Sequence, residues 1–131
     1  MPGQNLVAAT QLMMIADVAL TKGAAVVLVV GTEDHVNLPA GANSALVYGF
    51  AMNDAAINER VAIHVGGGVA TAKAGATIAI GDYVMVNSAS GDLKTLVLGA
   101  SNQYAVGKAL RGAASGDLFP IKPCDFIAQG A

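Results

Sequence analysis

Residues 61–86 read Val-Ala-Ile-His-Val-Gly-Gly-Gly-Val-Ala-Thr-Ala-Lys-Ala-Gly-Ala-Thr-Ile-Ala-Ile-Gly-Asp-Tyr-Val-Met-Val, and this stretch decides the fold. Val61, Ile63 and Val65 recur at every second position, the spacing at which side chains share one face of a strand. Three glycines at 66–68 break that strand. Val69-Ala70-Thr71-Ala72 opens another, and Tyr83-Val84-Met85-Val86 is a third, entered through Gly81-Asp82.

Downstream the same grammar continues. Asn, Ser, Gly and Asp build a turn over 87–92, residues 93–98 alternate weakly, and residues 104–110 read as a strand. A tight connection at 112–117 leads to a last strand over 118–122, which Pro120 and Pro123 are expected to hold at a sheet edge. Upstream, residues 45–52 form a strand, and residues 36–38 form a short one that ends at Pro39. The run Val26 to Val30, bounded by Gly23 and Gly31, is a buried strand. Residues 53–60 are a turn in which Asn53 or Asp54 is placed to cap one turn of helix. Residues 5–20 fit neither the helical nor the strand period, and are expected as an extended arm leading into a strand.

Short strands every 8–12 residues or so imply a mainly β chain, a compact small barrel or sandwich with an extended N-terminal arm and little helix. The expected division is an arm or first strand over 1–20, a single β domain over 21–123 and a tail over 124–131. Gly-Asp recurs at 81–82, 91–92 and 116–117 without a fixed period, so it reads as a turn device at strand starts and not as a repeat.

Composition narrows the function classes. Hydrophobic residues make up 54% of the 131 positions and charged residues 12%, about half the usual share. Disorder is excluded by that balance, and an internal disulfide by the single Cys124. Seven Lys and Arg against nine Asp and Glu argue against nucleic acid as a partner. The 26 alanines hide little area each, so the core of one chain is thin and much apolar surface is left for other chains. Mean hydropathy is +0.56, yet the longest aliphatic run is too short to span a bilayer, and no basic segment opens a signal peptide, so no membrane partner is expected.

Catalytic and ligand motifs do not assemble. The glycines at 66–68 lack the Lys-Ser or Lys-Thr that completes a phosphate loop. His35 and His64 stand apart and no Cys-x-x-Cys occurs, so no metal or other cofactor is expected. Residues 112–116 approach the nucleophile-elbow pattern with the wrong spacing, and the carboxylates are scattered singly along turns.

One resemblance is specific as an ordered set. It runs through Gly49-Phe50-Ala51, Val65-Gly66-Gly67-Gly68-Val69, Gly75 to Val84 with its Gly81-Asp82, Ser90-Gly91-Asp92-Leu93, Val106-Gly107-Lys108-Ala109-Leu110 and Ala113-Ala114-Ser115-Gly116-Asp117-Leu118. This order resembles the capsid cement, or head decoration, proteins of tailed bacteriophages, as does the opening Thr21-Lys22-Gly23-Ala24-Ala25-Val26. The chain departs from the pattern in its Met-containing N-terminal segment, around 96–104 and beyond Pro123.

The resemblance implies a non-enzymatic virion protein, made in the bacterial host cytoplasm. It would bind the outer capsid surface and bridge major capsid protein subunits, as a homotrimer. Residues 1–20 are the expected capsid-contacting arm, with Leu6, Val7, Leu12, Met13 and Met14 as candidate contacts; packing of these residues on the chain's own barrel is the open alternative. Candidate trimer contacts are the small-residue loops holding Gly66, Gly67, Gly68 and Val69, and Ala113, Ala114 and Ser115. Two other classes compete. One is a small barrel enzyme or carrier of hammerhead or double-psi type, for which Lys73 and Lys94 lack a modification motif. The other is a self-assembling shell subunit.

Overall fold

The computed structural model describes residues 11–44, 46–66, 68–96 and 103–128. The expected mainly β architecture is what forms: ten strands, and no helix among the described residues. They are β1 (Gln11–Ala16), β2 (Ala25–Leu28), β3 (His35–Asn37), β4 (Val47–Ala51), β5 (Arg60–His64), β6 (Ala70–Lys73), β7 (Tyr83–Val86), β8 (Leu93–Thr95), β9 (Gln103–Ala109) and β10 (Leu118–Ala128).

The first five strands close a barrel in the order β1-β3-β2-β4-β5, and β5 pairs back on β1. The other five form a sheet in the order β6-β10-β9-β7-β8. Alternation explains how the two units join. In β2, Val26 points into the barrel while Ala25 points out; in β4, Ala51 points in while Phe50 points out. The barrel interior is Met14, Ala16, Leu20, Val26, Val36, Ala51, Ala55, Val61 and Ile63. The outward Ala25 and Phe50 enter a second core with the inner face of the sheet, including Ala72, Val84, Leu93, Phe119 and Ile121. Five of the thirteen buried residues in that second core are alanine. They let barrel and sheet approach closely, and the two phenylalanines supply the bulk.

The Gly-Asp pairs act as turns. Ala79 N donates to Asp82 Oδ2 (3.1 Å) and Asp82 N returns a bond to Ala79 O (3.2 Å). Ala114 and Asp117 repeat the exchange at 3.1 and 3.0 Å. Ala56 and Glu59 make a third copy, in which Asn58 at φ 68° takes the place of the glycine. The caps foreseen at 53–54 serve this loop instead of a helix. Asn53 Oδ1 accepts from Ala62 N and Asp54 Oδ1 from Lys22 N.

Two readings differ from expectation. The run 26–30 is not a buried strand throughout: β2 ends at Leu28, and Leu28 and Val30 are exposed because the chain there leaves the barrel wall for the turn to β3. β10 is not an edge strand, because β6 and β9 flank it. Pro120 is tolerated at the end of the β9 pairing, where its carbonyl still accepts from Leu110 N at 3.0 Å and one ladder bond is missing. By alternation the nitrogen of Pro123 faces the other side, past the last β6 pair, Ile121 with Ala70. A register shift follows between Pro123 and Phe126, and the strand runs on to Ala128, through the first part of the expected tail.

Candidate functional site

The surface beside β1 is the candidate contact site. Ile15 N donates to Asp34 O (2.8 Å) and Asp17 N to Val36 O (2.9 Å), so the odd residues of this strand address β3. Ala16 N donates to Glu59 O (2.9 Å), so the even ones address β5. The pairing with β3 covers only Ile15 and Ala16. By the same alternation the backbone of Gln11 and Met13 faces the β3 side, where no described strand pairs with it. An open strand edge is a template for another extended segment.

Apolar side chains wall this edge. A groove of about 540 Å³ runs between β1 and the turn that joins β2 to β3, lined by Leu12, Met13, Leu28, Val29, Glu33 and Tyr48 among others. Met13 is 52% exposed, Leu28 49% and the adjoining Val30 97%. Exposed aliphatic groups at that level, next to unpaired backbone, mark a surface suited to a partner. Tyr48 lies in the floor because it is the extra residue where Val26 pairs with Gly49 and Val27 with Val47.

The five arm candidates separate. Leu6 and Val7 lie outside the described residues. Met14 is 5% exposed and its side chain packs inside the barrel. Leu12 shares that phase but sits at the barrel mouth, 37% exposed, while Met13 points outward. Sequence reasoning missed Leu28, Val29 and the Glu33-Asp34 turn, which belong to another strand pair and meet β1 only through barrel closure.

The two candidate trimer loops are not brought together. Gly66, Gly68 and Val69 are exposed where the chain passes from barrel to sheet; Gly67 lies outside the described residues. Ala114 and Ser115 are exposed and Ala113 half-buried beyond the other end of β6, where Gly116 N donates to Ala74 O at 2.7 Å.

A smaller cleft of about 330 Å³ lies between barrel and sheet, lined by Tyr48, Phe50, His64, Tyr104, Val106 and Cys124 among others. His64 points away from the Val61–Ile63 face, as its place in the alternation requires. Among the described residues no group of three or more His, Cys, Asp or Glu is placed to hold a metal ion. No helix among them is long and apolar enough to cross a membrane.

Comparison with known proteins follows from this architecture. No curated protein sequence matches the chain. Its fold is similar to the crystal structure of the head fiber gp8.5 N base in bacteriophage phi29, with a TM-score of 0.66 over 87% of this chain and 92% of that one. Identity is 14%, so this likeness shows the fold. The family model of phage cement proteins matches residues 4–121, and the chain therefore belongs to that family, as a structural protein of the phage capsid.

Proposed function

We propose that the protein binds the outer surface of the capsid and stabilises it by bridging major capsid protein subunits, acting there as a homotrimer. Synthesis in the host cytoplasm precedes assembly on the finished shell. The observation that carries this reading is the open β1 edge beside Leu12, Met13 and Leu28. An extended segment of a capsid subunit adds to that edge through backbone hydrogen bonds, and the groove takes its alternate side chains. Three such sites on one trimer make individually weak contacts adequate, since they engage as a unit.

The test is occupancy of phage heads assembled without the protein. A chain lacking residues 2–10 keeps all of β1, which begins at Gln11. Full occupancy by that truncated chain removes the arm from the attachment surface. Full occupancy by the Leu12→Asp, Met13→Asp double variant overturns the groove as the docking site. Cross-linking on the heads that yields dimers or monomers, and no trimers, overturns the oligomeric state.

A further inference from the structure

Bridging requires a second contact surface, and the lysines point to where it is. Four of the five lysines of this chain, Lys73, Lys94, Lys108 and Lys122, sit on four different strands of the five-stranded sheet. Register puts them on one face. Lys122 lies opposite Lys108, Lys108 opposite Tyr83, Lys94 opposite Met85 and Lys73 opposite Leu118. Lys108 and Lys122 are exposed and Lys73 and Lys94 half-buried; Met85 and Val106, which share this phase, are covered, so the open part of the face runs from Tyr83 through Lys108 to Lys122. The alternate residues Ala72, Leu93, Ala109 and Ile121 point into the shared core, so the lysines point away from it. Up to the bulge at Pro123, no outward position of these strands is acidic.

Among the described side chains no carboxylate of this half pairs with a lysine. Asp82 and Asp117 accept from the backbone of their own turns, and Asp92 accepts from Ser88 Oγ at 2.7 Å. Among the described residues the one ion pair is His35 with Asp17, in the barrel. Lys108 and Lys122 form a directly opposed like-charge pair, an arrangement that works against the sheet itself. Lys108 Nζ also lies 5.5 Å from the centroid of the Tyr83 ring. Apolar groups flank the row: Tyr83 is 42% exposed, Leu110 41% and Leu118 41%.

We infer that this outward face of β7, β9 and β10 is a docking surface for a carboxylate-bearing protein surface, which under the reading above is the exterior of the capsid shell. Charge complementarity selects that occupant. Four lysines with exposed aliphatic and aromatic neighbours suit a protein patch of opposite charge. A nucleic acid is disfavoured because the barrel half, residues 11–66, carries five acids against two bases and repels a polyanion. The inference rests on the proposed function but concerns different residues from the β1 groove.

The experiment measures binding of the full chain to heads assembled without it, across a salt series. The Lys108→Glu, Lys122→Glu double variant is compared with Arg60→Glu, an exposed base on β5 of the barrel. The double variant is expected to lose at least about tenfold in affinity and to flatten the salt dependence, with Arg60→Glu within about twofold of the unmodified chain. Melting temperature verifies that both variants fold. Unmodified protein that fails to bind heads overturns the proposed function and this inference with it. Unmodified protein that binds while the double variant binds equally overturns this inference alone. A double variant that changes oligomeric state without changing head affinity overturns it in favour of a second copy. Salt-sensitive retention on duplex DNA that the double variant loses, with head affinity kept, overturns it in favour of nucleic acid.

Discussion

Asp17 Oδ1 lies 2.5 Å from His35 Nδ1, joining the residue just past the end of β1 to the first residue of β3. This contact sits where the barrel closes through its parallel pair, Ile15 beside His35 and Ala16 beside Val36. The side chains are 22% and 31% exposed for His35 and Asp17, so water screens the pair in part. Asp17→Asn keeps an acceptor and is expected to cost little. Asp17→Ala removes it and is expected to destabilise by about 1 kcal/mol, lowering the melting temperature by a few degrees in calorimetry. Equal melting temperatures for all three proteins would show that closure does not use this pair.

Gly91 and Gly116 have similar backbones, at φ 80° and 92°, in very different surroundings. A Cβ at Gly116 meets nothing within 4 Å, so Gly116→Ala carries only the conformational penalty, about 1–2 kcal/mol. A Cβ at Gly91 falls 2.7 Å from Ala25 O and 2.9 Å from Ala25 N, backbone that cannot step aside. Gly91→Ala therefore adds steric strain of about 1–3 kcal/mol to the same penalty. Denaturant unfolding of the two variants reads the difference, and equal losses would mean that the 87–92 turn does not seat on β2 as described.

Phe119 is 1% exposed and is one of two large rings in a core otherwise built of small and aliphatic groups. Phe119→Ala is expected to cost about 3–5 kcal/mol, since rigid strands on both sides limit collapse into the space. Ala72 is fully buried in the same core, and Ala72→Leu is expected to destabilise by about 1–3 kcal/mol through overpacking. Chemical denaturation tests both. Tolerance of Leu at 72 would mean that barrel and sheet are not held at contact distance.

Met13 offers the opposite contrast. Its side chain is 52% exposed, so Met13→Asp is expected to leave stability within about 0.5 kcal/mol. Under the proposed function it lowers head occupancy at least about fivefold, because a carboxylate in an apolar contact is left unpaired. Met14→Asp, one residue on and 5% exposed, is expected to unfold the barrel. A Met13→Asp variant that melts normally and fills heads normally removes the groove from the interface.

Much of the fold was legible because short β-branched runs between glycine turns carry a period-two signal. The strand at 83–86 falls where the alternation put it, and those near 26–30, 61–65 and 104–110 shift by a residue or two. The proline reading failed at β10, since the rule concerns which side the missing N–H faces and the flanking partners come from 45–51 residues earlier in the chain on one side and 12–25 on the other. The candidate contact site was half legible. Leu12 and Met13 drew attention as apolar residues near the N-terminus. Their partners Leu28 and Val29 did not, because a barrel wall is assembled from strands that are not neighbours in sequence. The lysine face left a faint trace, since Lys73, Lys94, Lys108 and Lys122 each hold the outward phase of a strand.

The amino-acid sequence by itself determined the local pieces: where strands run, where Gly-Asp turns reverse them, that small residues fill the interior, and which family the ordered turns resemble. Those features follow from backbone sterics and side-chain alternation, which act over a few residues. Only the tertiary structure decided that five strands close while five stay open, that Met14 turns inward while Met13 turns outward, and that four separated lysines share one face. Such relations depend on register between distant strands, and register is set by which buried side chains pack together across the whole chain.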